Sequence, residues 1–320
     1  MMNRDRSGGA AAGTFFRRYG ILVIFCGLAV IISLVTPDFL TARNILNILR
    51  QSSIIGLMAI GTTFVIIGGG FDISVGPILA LTAAVAIGMQ SHLPWPAAVA
   101  AALLAGAAIG LANGVLAAVV GIVPIIATLG TMTIVRGLTY IYTGGYPLVG
   151  ESQAFKYIGG GQPLGIPFPI ILLAAMVLFW QFILARTRTG RYICAVGGNK
   201  EASRLSGVAV DYYHILTFVI GGFMAALAGV VYASRLNSAT PLAGNGYEMD
   251  AIASTVIGGA SVSGGEGSVF GTLVGVLLLN VVSNMFNLMG VPVYVQHLVK
   301  GVIILVVVGI DSYGRKAERR

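Results

Sequence analysis

Three groups of polar residues have types and spacings that could do chemistry, and each lies in a sequence that is otherwise apolar. The first is the connection 186–211, where Arg186, Arg188, Arg191, Lys200 and Arg204 crowd between two long uncharged runs. A stretch this polar cannot sit in lipid, so it sets orientation, docks a partner, or both. The second is GGGFDISVG at 68–76, with Asp72 and Ser74 just ahead of an apolar run. Those two side chains either cap the first amides of the helix that follows or form a gating or coupling turn. IGGASVSGGEGSVFG at 257–271 has a similar grammar, with Glu266 as its acid. The third is Asn280, Asn284 and Asn287, whose spacing places three amides on one helical face. They either bond neighbouring helices or line a hydrophilic path, where an amide both donates to and accepts from a neutral polyol. Arg136 joins the path candidates as an ionisable residue inside an apolar run. Gln296, His297 and Lys300 fall in a last apolar run, near enough to its edge for Lys300 to snorkel. There is no His, Cys and carboxylate grouping at metal-ligand spacing and no Ser, His and Asp arrangement, so neither a metal nor a catalytic centre nor a cofactor is expected. The phosphate-cradling pattern G-x-x-x-x-G-K-[ST] is also missing, because GGNK at 197–200 lacks the spacing. If ATP drives this protein, a separate chain must hydrolyse it.

The elements that must carry these residues follow from composition. Of 320 residues, 57% are hydrophobic and 9% are charged, against about 25% charged in a soluble domain. The chain is an all-α polytopic membrane protein. Its net charge of +8 does not imply nucleic acid, because the basic residues gather in the N-tail (Arg4, Arg6, Arg17, Arg18), the 186–204 stretch and the C-tail, as cytoplasmic segments do. Cys26 lies in an apolar run and Cys194 in the polar connection, so no disulfide is expected between them. The run 19–35 follows basic residues but has no small-x-small site after it, and is read as an uncleaved first span. About ten spans are expected, near 19–35, 52–68, 75–90, 96–119, 123–142, 168–185, 213–234, 251–263, 268–288 and 294–310, the eighth being short for a crossing. Residues 41–50 read as a separate amphipathic helix on the outer surface. The domain plan is a basic N-tail 1–18, one transmembrane domain 19–310 carrying the loop 186–211, and a basic C-tail 311–320. An even number of spans places both tails and the 186–211 loop in the cytoplasm, with Arg43, Arg50, Lys156 and Arg235 outside. By the same count, Arg136 falls in the outer third of its span. Small residues recur at helical spacing at Gly106, Gly110 and Gly114, at Gly221, Ala225 and Gly229, and at Gly271 and Gly275. Such stripes let backbones approach closely.

Four stretches carry a resemblance along nearly the whole chain: NILNILRQSS (44–53), GGFDISVGPILALT (69–82), TRTGRYICAVGGNKEASRLSGVAV (187–210) and GYEMDAIASTVIGGASVSGGEGSVFGTLVG (246–275). In that order they resemble the permease subunits of bacterial ABC sugar importers of the ribose type, within the larger group that also holds branched-chain amino-acid permeases. Pro77 and Cys194 depart from residues usual in the ribose permeases. The resemblance implies a cobalamin-importer-like (type II) architecture in the bacterial inner membrane, with two permease chains (identical or paralogous), two ATPase chains and a periplasmic sugar-binding protein. It implies an ATPase-coupling role for Gly197, Gly198, Asn199, Glu201, Arg204 and Gly207, on a short helix near 200–206. It makes Arg43, Arg50 and Arg235 candidates for docking the binding protein, alongside their plain reading as a solvated rim. Other cargoes in the same machine remain open: a nucleoside, an autoinducer-like sugar derivative or a branched-chain amino acid. A stand-alone secondary transporter is the lesser alternative: it would call for an acidic residue at mid-membrane, and the span count puts none of Asp72, Glu248, Asp250 or Glu266 there.

Overall fold

The structure, a computed structural model, describes residues 38–302 together with Gly27, Val30, Ser33, Thr36, Leu305 and Gly309. The expected first span, at 19–35, lies almost wholly outside the described residues, as do the two tails; the expected last span is helical where described, from 293 to 302. Among the described residues, six helices are long and apolar enough to cross a membrane. They are α1 (Ala42–Ile67), α3 (Trp95–Ala118), α4 (Pro124–Thr143), α6 (Phe168–Arg186), α9 (Val210–Leu236) and α11 (Val269–Leu288). Proline at the first or second position opens α3, α4 and α6, where its missing N–H costs nothing. The chain is thus a polytopic, all-helical membrane protein.

Two further helices in the apolar sequence are too short to cross. Helix α2 (Val75–Gly88) has 14 residues and α10 (Tyr247–Ile257) has 11. At 1.5 Å per residue they reach about 21 and 16 Å, against a hydrocarbon core of about 30 Å. Helix α2 is apolar on every side because protein surrounds it: Val75, Ile78, Leu79, Ala83, Ala84 and Ile87 are all buried. The remaining helices lie in connections: α5 (Lys156–Gly160), α7 (Arg188–Gly198) and α8 (Lys200–Leu205). Strands β1 (Leu148–Val149) and β2 (Ser238–Ala239) pair antiparallel, Leu148 opposite Ala239.

The chain divides into two compact units, residues 1–48 with 277–320, and residues 49–276. In the first, Phe39, Ile48 and Val281 form an apolar cluster backed by Met285. In the second, the glycine stripes act as their spacing predicts. A β-carbon on Gly106 would lie 2.6 Å from the Gly222 carbonyl, and one on Gly114 would lie 2.8 Å from the Ile215 Cα, so α3 and α9 meet almost backbone to backbone. Gly221 faces Gly61 of α1, Gly229 faces Leu79 and Thr82 of α2, and Gly271 and Gly275 face the end of α10. The outward sides of α3, α4 and α6 expose Leu104, Ile141, Leu178 and Phe182, an apolar surface suited to lipid.

One expected boundary is wrong. Residues 41–50 are not a separate surface helix: α1 runs unbroken from Ala42. No glycine or proline interrupts 42–55, and polar residues alone do not stop a helix whose backbone bonds are intact.

Candidate functional site

The 186–211 connection folds into α7 and α8, each started by a side chain the sequence supplies at the right place. Thr187 Oγ1 accepts the Gly190 N–H at 3.2 Å, and Asn199 Oδ1 accepts the Ala202 N–H at 2.9 Å. Gly207, at φ +79°, closes α8 by the left-handed turn that glycine allows, its N–H bonded to the Arg204 carbonyl. Helix α8 therefore falls where it was expected. Its Glu201 and Arg204 are exposed and joined only by loose contacts, 3.7 Å to one another and 3.6 Å from Arg204 to Asp211. Exposed pairs of this kind stabilise little, so both side chains are free to engage a partner.

Gly197 and Gly198, at the end of α7, enter a junction built from three glycine turns. A β-carbon on Gly197 would fall on the Ile67 carbonyl oxygen at the end of α1. That carbonyl accepts the Gly265 N–H at 2.8 Å. Gly264 and Gly265, at φ +83° and +81°, abut Gly197 and Gly198, and Gly69 abuts Gly197. The turn after α1, the end of α7 and the turn before α11 thus touch through backbone alone. Lys200 extends the junction: its Nζ lies 3.5 Å from His214 Nε2, while His214 Nδ1 lies 3.0 Å from the Gly68 carbonyl. Burial holds Lys200 below the usual lysine range, opposed by Asp211 and assisted by Arg204.

The gate-turn residues do not cap α2. Asp72 Oδ1 accepts the Ser74 N–H at 2.8 Å and the Ser74 hydroxyl at 2.6 Å. The Ser74 hydroxyl accepts Asn113 Nδ2 at 2.9 Å, and neither side chain bonds an amide further into the helix. All three residues are fully buried. Burial pushes the Asp72 carboxyl above its ordinary range, against the hydrogen bonds from Ser74 and Asn113. Thr128 of α4 secures the same turn, donating to the Phe71 carbonyl at 3.2 Å and accepting from the Ile73 N–H at 3.4 Å. Glu266 lies apart from this network, exposed, in the turn before α11, with its backbone carbonyl taking the Ser261 N–H.

Arg136 is the thirteenth of the 20 residues of α4. Its guanidinium donates to the Pro241 and Ala243 carbonyls, the latter at 3.1 Å. These lie in the non-helical stretch between β2 and α10, whose Gly244 packs on Gly76 and Leu79 of α2. Glu248, buried in the first turn of α10, takes the Gly246 N–H on Oε1 at 3.3 Å, and its Oε2 is buried with no hydrogen-bond partner among the described residues. Non-helical backbone inside a membrane persists only where protein satisfies it, and Arg136 and Glu248 do that here.

The amides of α11 divide by partner. Asn284 and Asn44 exchange reciprocal bonds at 2.8 and 2.9 Å. Asn287 accepts Gln296 Nε2 at 2.9 Å, and Asn280 is buried. Arg43 and Arg235 are exposed and Arg50 is half-buried. Two residues escaped the sequence reading. Asn113 is hidden in the small-residue stripe of α3, one residue before Gly114. Gln181 is a single amide in α6, yet its Oε1 accepts Val269 N–H at 2.9 Å and Phe270 N–H at 3.3 Å, capping α11 from a neighbouring helix.

A helical membrane bundle with two half-length helices, buried polar residues at the breaks between them and a charged helix pair joined to them through backbone is built as a transport permease. The chain belongs to the family described as branched-chain amino acid transport system / permease component, which matches residues 44–308. It is 44% identical to the ribose import permease protein RbsC of Escherichia coli K12 over 91% of this chain and 92% of that protein. The corresponding protein of Bacillus subtilis 168 is 45% identical over 89% of each chain. The L-arabinose transport system permease protein AraH of Escherichia coli K12 is 38% identical, covering 96% of this chain and 94% of that one. No solved structure matches the chain.

Proposed function

We propose that this chain is the membrane-spanning permease subunit of an ATP-driven sugar importer in a bacterial inner membrane, with ribose or a similar monosaccharide as cargo. The observation that carries the mechanism is the glycine junction, because displacement of α8 passes through Gly197 to the end of α1 and the start of α11 without a flexible side chain between. A separate ATPase engages the exposed α8 through Glu201 and Arg204, with Asn199 and Gly207 shaping that helix. A second permease chain completes the pathway. A periplasmic sugar-binding protein delivers cargo to the outer face near Arg43, Arg50 and Arg235. The ten-span, type II arrangement places both termini and α7–α8 in the cytoplasm. Asp72, Ser74 and Glu266 then lie in inner gate turns, and Asn280, Asn284, Asn287 and Arg136 border the path. Closure of the ATPase pair favours one of two packings and hydrolysis returns the other, as alternating access requires.

Reconstitution with the ATPase and binding protein, scored for uptake and ATP hydrolysis across pentoses, hexoses and polyols, tests this. ATP-dependent uptake of one sugar is expected, with sugar-stimulated hydrolysis lost in Glu201→Ala or Arg204→Ala. Unchanged stimulation in both variants would remove the coupling role of α8. A stand-alone secondary transporter is the second reading, favoured by one observation, the buried Glu248 at a helix break; uptake that runs without the ATPase would establish it.

A further inference from the structure

Coupling through α8 leaves a second set of cations unused. Arg186 ends α6, Arg188 opens α7, and Arg191 follows within a turn. All three are exposed. Among the described residues, the acids of this connection, Glu201 and Asp211, pair with Arg204 and not with these three. Their depth follows from α6, which is long and apolar enough to span. Arg186 therefore leaves the hydrocarbon at the headgroup layer, and Arg188 and Arg191 follow on α7 after the single extended residue Thr187. Helix α7 buries Gly190, Ile193 and Val196 and exposes Arg188, Arg191 and Tyr192.

Aromatic residues mark the same level. Tyr212 stands in the first turn of α9, the next spanning helix, and is 60% exposed. Tyr213 packs between it and Tyr192, edge-on to Tyr212 and tilted to Tyr192, with ring centroids 5.1 Å apart in each pair. Tyrosine and arginine side by side at the edge of two spans is the composition that a headgroup layer selects. Between α7 and α8 opens a groove of about 470 Å³, with Arg191, Tyr192, Asn199 and Ser206 in its walls. It is open and its walls are mostly apolar, with one cation, Arg191, beside the Asn199 amide and the Ser203 and Ser206 hydroxyls, groups that can meet phosphate oxygens.

We propose that α7 is a binding element for acidic phospholipid. Arg186, Arg188 and Arg191 hold the phosphates of the adjoining leaflet, with Tyr192 and Tyr212 at the glycerol level. Because α7 ends at Gly197 in the glycine junction, the lipid anchors the base against which α8 pushes, so acidic lipid strengthens coupling. That last consequence rests on the proposed importer function; the lipid site does not.

The test uses the full chain without partners. Native mass spectrometry of the detergent-solubilised protein, incubated with phosphatidylglycerol or phosphatidylcholine, should show retained phosphatidylglycerol in preference. R186Q/R188Q/R191Q should lose that preference at least tenfold, R188Q and R191Q singly should weaken it severalfold, and R204Q should leave it unchanged. The single variants and the wild-type lipid preference keep the test decisive if the triple variant folds poorly. Equal retention of both lipids by the wild type, or undiminished preference in the triple variant, would overturn the proposal. So would loss of ATPase association in the triple variant with lipid retention intact, which would assign these arginines to the ATPase surface. In nanodiscs carrying the assembled transporter, phosphatidylglycerol should raise sugar-stimulated hydrolysis in the wild type and not in the triple variant. Lipid binding without that rise would remove only the coupling consequence.

Discussion

Gly197 and Gly198 are neighbours in one motif, yet a single methyl group should have opposite effects at the two positions. On Gly197 it would overlap the Ile67 carbonyl oxygen and lie 2.8 Å from the Gly265 nitrogen. Those two atoms already share a 2.8 Å hydrogen bond, so the end of α7 must move or the bond must break. Overpacking of this kind costs about 1–3 kcal/mol, and the lost bond adds roughly 1 kcal/mol. The expected destabilisation for Gly197→Ala is therefore about 2–4 kcal/mol. On Gly198 the nearest atom is the Gly265 Cα at 3.8 Å, an ordinary contact. There, alanine in place of glycine in a helix gains up to about 1 kcal/mol. Thermal unfolding of both variants in the same detergent, without partners, reads the difference free of any effect on coupling. Gly197→Ala should melt well below the wild type and Gly198→Ala at or above it. If the two variants melted together, the backbone contact at Gly197 would not hold the junction.

Three further outcomes follow from single contacts. Arg136→Ala leaves the Pro241 and Ala243 carbonyls without a donor in a low-dielectric setting. It should cost about 2–5 kcal/mol, with Arg136→Lys intermediate, as read by thermal unfolding and by new thiol reactivity of a cysteine placed at the buried Ala243. Gln181→Leu removes the acceptor for the first amides of α11; the loss should be about 1–2 kcal/mol, seen as faster hydrogen exchange at 269–270. Gln181→Glu keeps the acceptor and should be tolerated. Burial, and then the Glu266 carboxylate, push the Cys194 thiol above its ordinary range. In a Cys26→Ser background, maleimide should therefore label Cys194 more slowly than a free thiol at neutral pH, with rates rising as pH rises; labelling as fast as a free thiol would mean the site is open.

Much of this architecture is written in spacing, and what is not depends on partners far away in sequence. The apolar runs locate the spans, and the stripes at Gly106–Gly114 and Gly271–Gly275 announce close packing, because only small residues at i and i+4 permit it. Which helix each stripe meets cannot be read from period alone; α9 serves three neighbours, through Gly222, Gly221 and Gly229. Helix α8 was expected from the family resemblance, and Asn199 at its cap and Gly207 at its end are what form it. Asn113 was not, since one amide in a run of alanines and glycines looks like packing until Ser74, 39 residues earlier, is placed beside it. The partners of Arg136 were illegible for the same reason: they are two carbonyls more than a hundred residues away.

The polar side chains inside the apolar sequence share one task. Asp72 takes the Ser74 N–H, Thr128 bonds both Phe71 and Ile73, Arg136 supplies Pro241 and Ala243, Glu248 takes the Gly246 N–H and Gln181 takes that of Val269. Each serves a backbone group where a helix begins or ends, which a bilayer leaves no water to satisfy. Breaking α2 and α10 short of a full crossing creates most of those groups. Under the proposed importer function, a polyol suits such groups, because each hydroxyl both donates and accepts. An amino-acid cargo would need a fixed countercharge for its carboxylate, and Arg136, the basic residue of α4, is already committed to two carbonyls. The wiring of the helix breaks therefore favours a neutral, hydroxyl-rich cargo over a zwitterion.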